Sequence, residues 1–146
     1  MTNRMAMALL ALVGLLISVY MAAYKFGYIG SLACGTGSCE IVQNSPQSVM
    51  FGVPVPVLGL IGYGALLITA LVGVQPAFED RRWVGGILLA GATGGLIFSA
   101  YLSWLEQFTI HAWCRWCIAS AVVAVLLFIF ALPELSRMRR SADADA

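Results

Sequence analysis

Residues 5–24 run for 20 positions without a charge, bracketed by Arg4 and Lys25, and three further stretches repeat the pattern. Residues 51–74 carry no charge, residues 83–105 give 23 uncharged positions, and residues 116–133 give 18 between Arg115 and Glu134. A helix of roughly 20 apolar residues crosses the hydrocarbon core of a bilayer. Lipid offers no hydrogen-bond partners to the backbone, so such runs span as helices. The sequence therefore predicts an all-α membrane protein, a four-transmembrane-helix bundle in a single domain over residues 1–146. Its helices are expected at about 5–24, 53–74, 83–105 and 113–132, with an outer loop over about 25–52.

Composition agrees. The chain is 61% hydrophobic and 10% charged, with a mean hydropathy of +0.91, too apolar to hide its surface from water. A net charge of +1 without a basic patch argues against nucleic acid and leaves the lipid bilayer as the surrounding partner. Arg4 ahead of an apolar run also fits a secretory signal, and "SLAC" (residues 31–34) has a faint likeness to a lipoprotein cleavage site. The run is too long for the apolar part of a signal and no A-x-A site follows it, so the first helix is read as retained.

Basic residues set the expected orientation. With both termini on one side, that side carries Arg4, Arg81, Arg82, Arg137, Arg139 and Arg140, and the other only Lys25 and Arg115. The termini and the loop at 75–82 are then cytoplasmic, and residues 25–50 and 106–113 face outward. All four cysteines fall on that outer face, which at a bacterial inner membrane is the compartment where disulfides persist.

Cys34 and Cys39 stand in "CGTGSC", where Gly35 and Gly37 let a short ring close. Cys114 and Cys117 stand in "HAWCRWC". If Trp113 opens the fourth helix, that pair lies in its first turn, where the helix dipole and Arg115 favour a thiolate suited to exchange chemistry. Three readings compete. A C-x-x-C structural disulfide closes too small a loop to stabilise much. A four-thiolate zinc site is possible by count, but such clusters usually stiffen soluble domains. The third reading, a redox relay that needs no metal, uses the loop pair to meet a water-soluble protein and the helix pair to meet a lipid-soluble electron carrier.

With these features in order the chain resembles the bacterial branch of the vitamin K epoxide reductase (VKOR) family. The likeness covers about residues 18–132. "SVY" (residues 18–20) falls late in the first helix, the loop pair follows, and Ser45 stands six residues after Cys39 where the family has Ser or Thr. "FG" (Phe51, Gly52), "LGLIGY" (residues 58–63) and "SAYLSW" (residues 99–104) come next, and the C-x-x-C begins ten residues after Trp104.

The resemblance implies a four-helix bundle around a quinone, ubiquinone or menaquinone, with the outer loop as a lid. It implies an enzyme, a thiol–disulfide oxidoreductase that reoxidises a thioredoxin-fold, DsbA-like protein and passes the electrons to quinone. By position, Cys34 would exchange with the partner, Cys39 would attack Cys114, and Cys117 would stand next to the quinone ring. Vertebrate members carry Asn at the position of Val55 and Tyr at that of Ala121, so the apolar residues here speak against epoxide reduction and leave quinone reduction untouched. Some bacterial relatives carry a fused thioredoxin-like domain. This chain ends thirteen residues after Pro133, so the expected partner is a separate protein. The DsbB family shares the chemistry but has its C-x-x-C in the first outer loop. A non-enzymatic scaffold with a zinc-bound or disulfide-stapled outer loop is the alternative from another class.

Other residues carry two readings each. His111 and Glu106 are proton donors or thiolate stabilisers on one reading and interfacial groups on the other. Ser45 caps the "NSPQS" turn or tunes the thiolates. Phe51 is a candidate quinone contact. Trp104, Trp113 and Trp116 fit an interfacial aromatic belt. Gly85, Gly86, Gly91, Gly94 and Gly95 fit close helix packing. Pro54 and Pro56 fall where a helix start tolerates missing amides.

Overall fold

The computed structural model describes residues 2–28, 46, 49–79, 81–110 and 115–145. Four helices carry the fold: α1 (Thr2–Lys25), α2 (Val55–Val74), α3 (Arg82–Leu105) and α4 (Arg115–Asp145). Each holds a stretch long and apolar enough to cross a membrane, as the uncharged runs require. In the spans of α2, α3 and α4, fewer than a third of the residues in the most apolar window are buried. Large apolar side chains on each of them, among them Ile61, Ile68 and Ile97, are exposed, an arrangement that suits hydrocarbon and not water. The chain is a multi-pass membrane protein.

Helix α1 ends in a Schellman motif. The amide of Gly27 donates to the Tyr24 carbonyl at 3.1 Å and that of Tyr28 to the Ala23 carbonyl at 2.8 Å. Gly27 holds the left-handed conformation this closure needs, at φ +83°. Ahead of α2 lies a two-residue hairpin that straddles the boundary expected between the outer loop and the second helix, so the helix starts at Val55 and not at residue 53. Strand β1 (Val49–Met50) pairs antiparallel with β2 (Val53–Pro54), Val49 opposite Pro54 and Met50 opposite Val53. Phe51 and Gly52 form the turn, both with positive φ (54° and 78°) as the tightest hairpins demand. Pro54 precedes the first helical residue and Pro56 sits in the first turn, where an amide has no helical acceptor anyway.

Two ends differ from expectation. Helix α3 does not give way to an outward turn at Glu106. It continues through residues Glu106–Ile110 as a single π-helical turn, which rotates the Glu106 side chain into the bundle, where it is 3% exposed. Helix α4 runs past 132, through Pro133, to Asp145. The proline ring removes one amide donor from the ladder. The Asn3 side-chain amide donates to the carbonyl of Phe130 in the turn this disturbs, and Glu134 is anchored to Arg4 immediately beyond. Partners from α1 thus hold the helix together where proline would otherwise end it.

Helix α1 packs along α2 and against α4, and α3 packs along α4, while α2 and α3 stand further apart. Small residues allow the close approaches. A methyl group on Gly14 would lie 2.4 Å from the Tyr63 ring, one on Gly59 would lie 2.6 Å from Ser18 Oγ, and one on Gly91 would lie 2.8 Å from Leu66. At the end of the bundle that holds residue 4, Arg4 forms a two-pronged ion pair with Glu134, Nε to Oε1 at 3.0 Å and Nη2 to Oε2 at 2.9 Å. Its remaining nitrogen, Nη1, donates to the Gly73 carbonyl at 2.8 Å and the Glu79 carbonyl at 3.0 Å. One side chain thereby ties α1, the end of α2, the following loop and α4.

Candidate active site

The separation of α2 from α3 leaves a cavity of about 490 Å³, closed on its other sides by α1 and α4. Its lining is mainly apolar, from residues such as Met21, Leu66, Phe98 and Leu102. Cys117, Glu106, Tyr63, Ser18 and Ser120 are the thiol-, carboxyl- and hydroxyl-bearing residues among this lining. Gly62 and Ala65 on α2, with Ile87 and Gly94 on α3, are exposed, so the cavity opens sideways between these two helices toward the lipid. A largely apolar pocket of this size with a few convergent polar groups is the usual form of a small-molecule site.

Cys117 is the third residue of α4 and is half-buried, packed beside the core. Ser120 follows one turn later on the same face. Tyr63 is fixed by its ring lying over Gly14, and its hydroxyl donates to the Ser120 carbonyl at 2.9 Å, with Ser120 Oγ at 2.8 Å. This contact joins α2 to α4 directly behind the cysteine. Trp116 stands next to Cys117 but is no part of an exposed belt. Its ring packs on Tyr20, centroids 4.8 Å apart, and its buried indole Nε1 has no hydrogen-bond partner among the described residues. Trp104, half exposed and 5.8 Å from the Phe108 ring, keeps the position of a belt residue.

The other expected site residues are distributed as follows. Cys34, Cys39, Ser45, His111 and Cys114 lie outside the described residues, as do Trp113 and nearly all of the outer loop. Phe51 is 99% exposed at the hairpin tip and is not among the residues that line the cavity. Val55 does line the cavity, and Ala121 does not.

The glycines divide. Gly85 and Gly91 are close-packing positions, a methyl group at Gly85 falling 3.0 Å from Glu134 Oε2. Gly94 and Gly95 are not, because a methyl group there would meet nothing within 4 Å, and both line the cavity, as does Gly62. They are hollows. A Gly95→Leu variant is therefore expected to reach the membrane in normal amount while raising the KM for a quinone analogue roughly tenfold, about 1.4 kcal/mol of lost binding. Gly91→Leu should instead reduce the amount of folded protein, because Leu66 occupies the space. Unchanged KM in Gly95→Leu would show that the cavity is not where a quinone binds. Tyr63, Ser120 and Ser18 join the site only through the fold. The signal that would have found Tyr63 is its place in "LGLIGY", four residues after one glycine and one after another.

A model of the vitamin K epoxide reductase family matches residues 5–132. The chain is also 32% identical over 108 residues to the Arabidopsis thaliana protein named Thiol-disulfide oxidoreductase LTO1. That match covers 69% of this chain and 28% of the plant protein, so the chain spans little more than a quarter of its relative.

Proposed function

The chain belongs to the vitamin K epoxide reductase family, and from that premise we propose that it is a membrane thiol–disulfide oxidoreductase that passes electrons from a thioredoxin-fold, DsbA-like protein to a membrane quinone. The observation that carries this reading is the meeting of Cys117 and Glu106 in one apolar cavity that opens toward lipid. The family is quinone-linked in general, and the lining fits such a group: an apolar wall for ring and tail, and hydroxyls and a carboxyl for the carbonyl oxygens.

In this reading a quinone supplies the acceptor for two electrons and two protons. The protein does the rest. The partner's thiolate attacks a Cys34–Cys39 disulfide at Cys34 and frees Cys39, which attacks the Cys114–Cys117 disulfide at Cys114 and leaves Cys117 as the thiolate in the cavity. The partner's second thiol then releases Cys34, and Cys34 attacks Cys39, which restores the loop disulfide and frees Cys114 as a thiol. Oxidation of the Cys114–Cys117 dithiol back to a disulfide releases the electron pair. Glu106 holds a proton where water is excluded and hands it over as charge develops. The apolar wall keeps bulk water from the thiolate. Arginine asymmetry supports cytoplasmic termini and cysteines on the outer face of the inner membrane.

The test combines purified protein, a reduced thioredoxin-fold donor and a quinone analogue, followed by quinone absorbance. Steady turnover is expected, and Glu106→Gln should slow it roughly 100-fold while the donor is still oxidised stoichiometrically. Donor oxidation with no change in the quinone would sink the electron path proposed here.

A further inference from the structure

At the opposite end of the bundle from Cys117 a second cavity, about 320 Å³, is lined by five arginines and two glutamates. One arginine is already engaged: Arg4 is bound to Glu134 and to two backbone carbonyls. Four others, Arg81, Arg82, Arg137 and Arg140, line the same space, with Glu79 the one further carboxylate there among the described residues. Among the described residues Arg4–Glu134 is the sole ion pair, so none of these four is neutralised by a described carboxylate. Like charges gathered around one hollow repel, and an anion seated among them removes the repulsion.

The backbone adds to the attraction. The first turn of α3 borders the cavity through Arg82 and Gly85. That helix end carries no acidic residue in its first turn and no side-chain cap, so its dipole and amides are open to an anion. Arginine forks and helix amides together match the oxygens of a phosphate.

The surroundings say where the phosphate comes from. Phe78 and Trp83, edge to face at 6.1 Å and both exposed, flank the arginines as aromatic residues do at headgroup level. Leu132 and Leu135 stand exposed on α4 just before Arg137, an apolar path for an acyl chain beside the cavity. We propose that this cavity binds the phosphate of an anionic phospholipid headgroup, with Arg82 on α3 and Arg137 and Arg140 on α4 as its main ligands. The lipid then bridges α3 to α4 beside the buried Arg4–Glu134 pair. This site is independent of the redox chemistry.

The experiment is native mass spectrometry of the detergent-purified protein with dioleoyl phosphatidylglycerol or dioleoyl phosphatidylcholine, paired with thermal unfolding. Wild-type protein should retain phosphatidylglycerol about tenfold better than phosphatidylcholine and gain thermal stability from it. Arg82→Gln/Arg137→Gln should lose both effects. If that double variant fails to fold, Arg140→Gln, on an exposed rim residue, should lower the preference several-fold while leaving folding intact. Equal retention of the two lipids, or an undiminished preference in the variants, overturns the proposal. So does an equal stabilisation by inorganic phosphate at the same concentration, which would assign the site to a soluble anion.

Discussion

A Cys117→Ser variant is expected to reduce no quinone with any thiol donor, the activity falling to the uncatalysed background. The reason is chemical. The electron pair leaves the protein only when two thiols become a disulfide, and a hydroxyl at 117 cannot form one. Cys39→Ser should fail differently, losing turnover with the protein donor yet keeping it with small thiols that reach the C-x-x-C directly. The double variant Cys34→Ser/Cys117→Ser removes both thiols that could resolve a Cys39–Cys114 bond, so that bond should accumulate. Non-reducing peptide mapping would detect it. Turnover in Cys117→Ser, or only free thiols in the double variant under oxidising conditions, would end the relay mechanism.

The next largest effect is expected at the far end of the bundle. Arg4 is 2% exposed and Glu134 0%, so neither charge has water to fall back on. Truncating one member of such a pair strands the other and costs about 3–5 kcal/mol. The two truncations should not be equal. Arg4→Ala strands the carboxylate and also removes the donor to the Gly73 and Glu79 carbonyls, whereas Glu134→Ala leaves the guanidinium two backbone acceptors. Arg4→Ala should therefore be the worse of the two in denaturant unfolding of the detergent-solubilised protein. Replacing both by leucine should recover most of the loss, because no buried charge remains. A loss near 0–1 kcal/mol for Arg4→Ala would mean that the pair behaves like a solvated surface contact.

Arg4 also marks where reading a sequence stops. As one of six basic residues on the side of the termini it is an orientation signal, and nothing local separates it from Arg139. Its burial depends on Gly73, Glu79 and Glu134, up to 130 positions away. The same distance hides the glycines' roles. Gly91 and Gly95 sit one turn apart on one helix among small and apolar neighbours, yet Leu66 fills the space at one and the other faces a void. Spacing alone shows neither the neighbour nor the gap.

Four uncharged runs of sufficient length, read from the chain alone, determined that this is a helical membrane protein with four spans, because backbone groups in lipid have no other way to be satisfied. Motif order along the chain likewise determined the family, since it records which residue types recur and in what sequence. The tertiary structure alone decided what meets what. It turned Glu106 inward through a π-helical turn, set it in one cavity with Cys117 and Tyr63, swung Phe51 out on a hairpin, and carried α4 through Pro133 on the support of Asn3 and Arg4. Each of these depends on the rotation of one helix against another. In a bilayer that rotation is settled by close packing and by a few interhelical hydrogen bonds, and not by an apolar pattern that lipid and protein interior satisfy equally well.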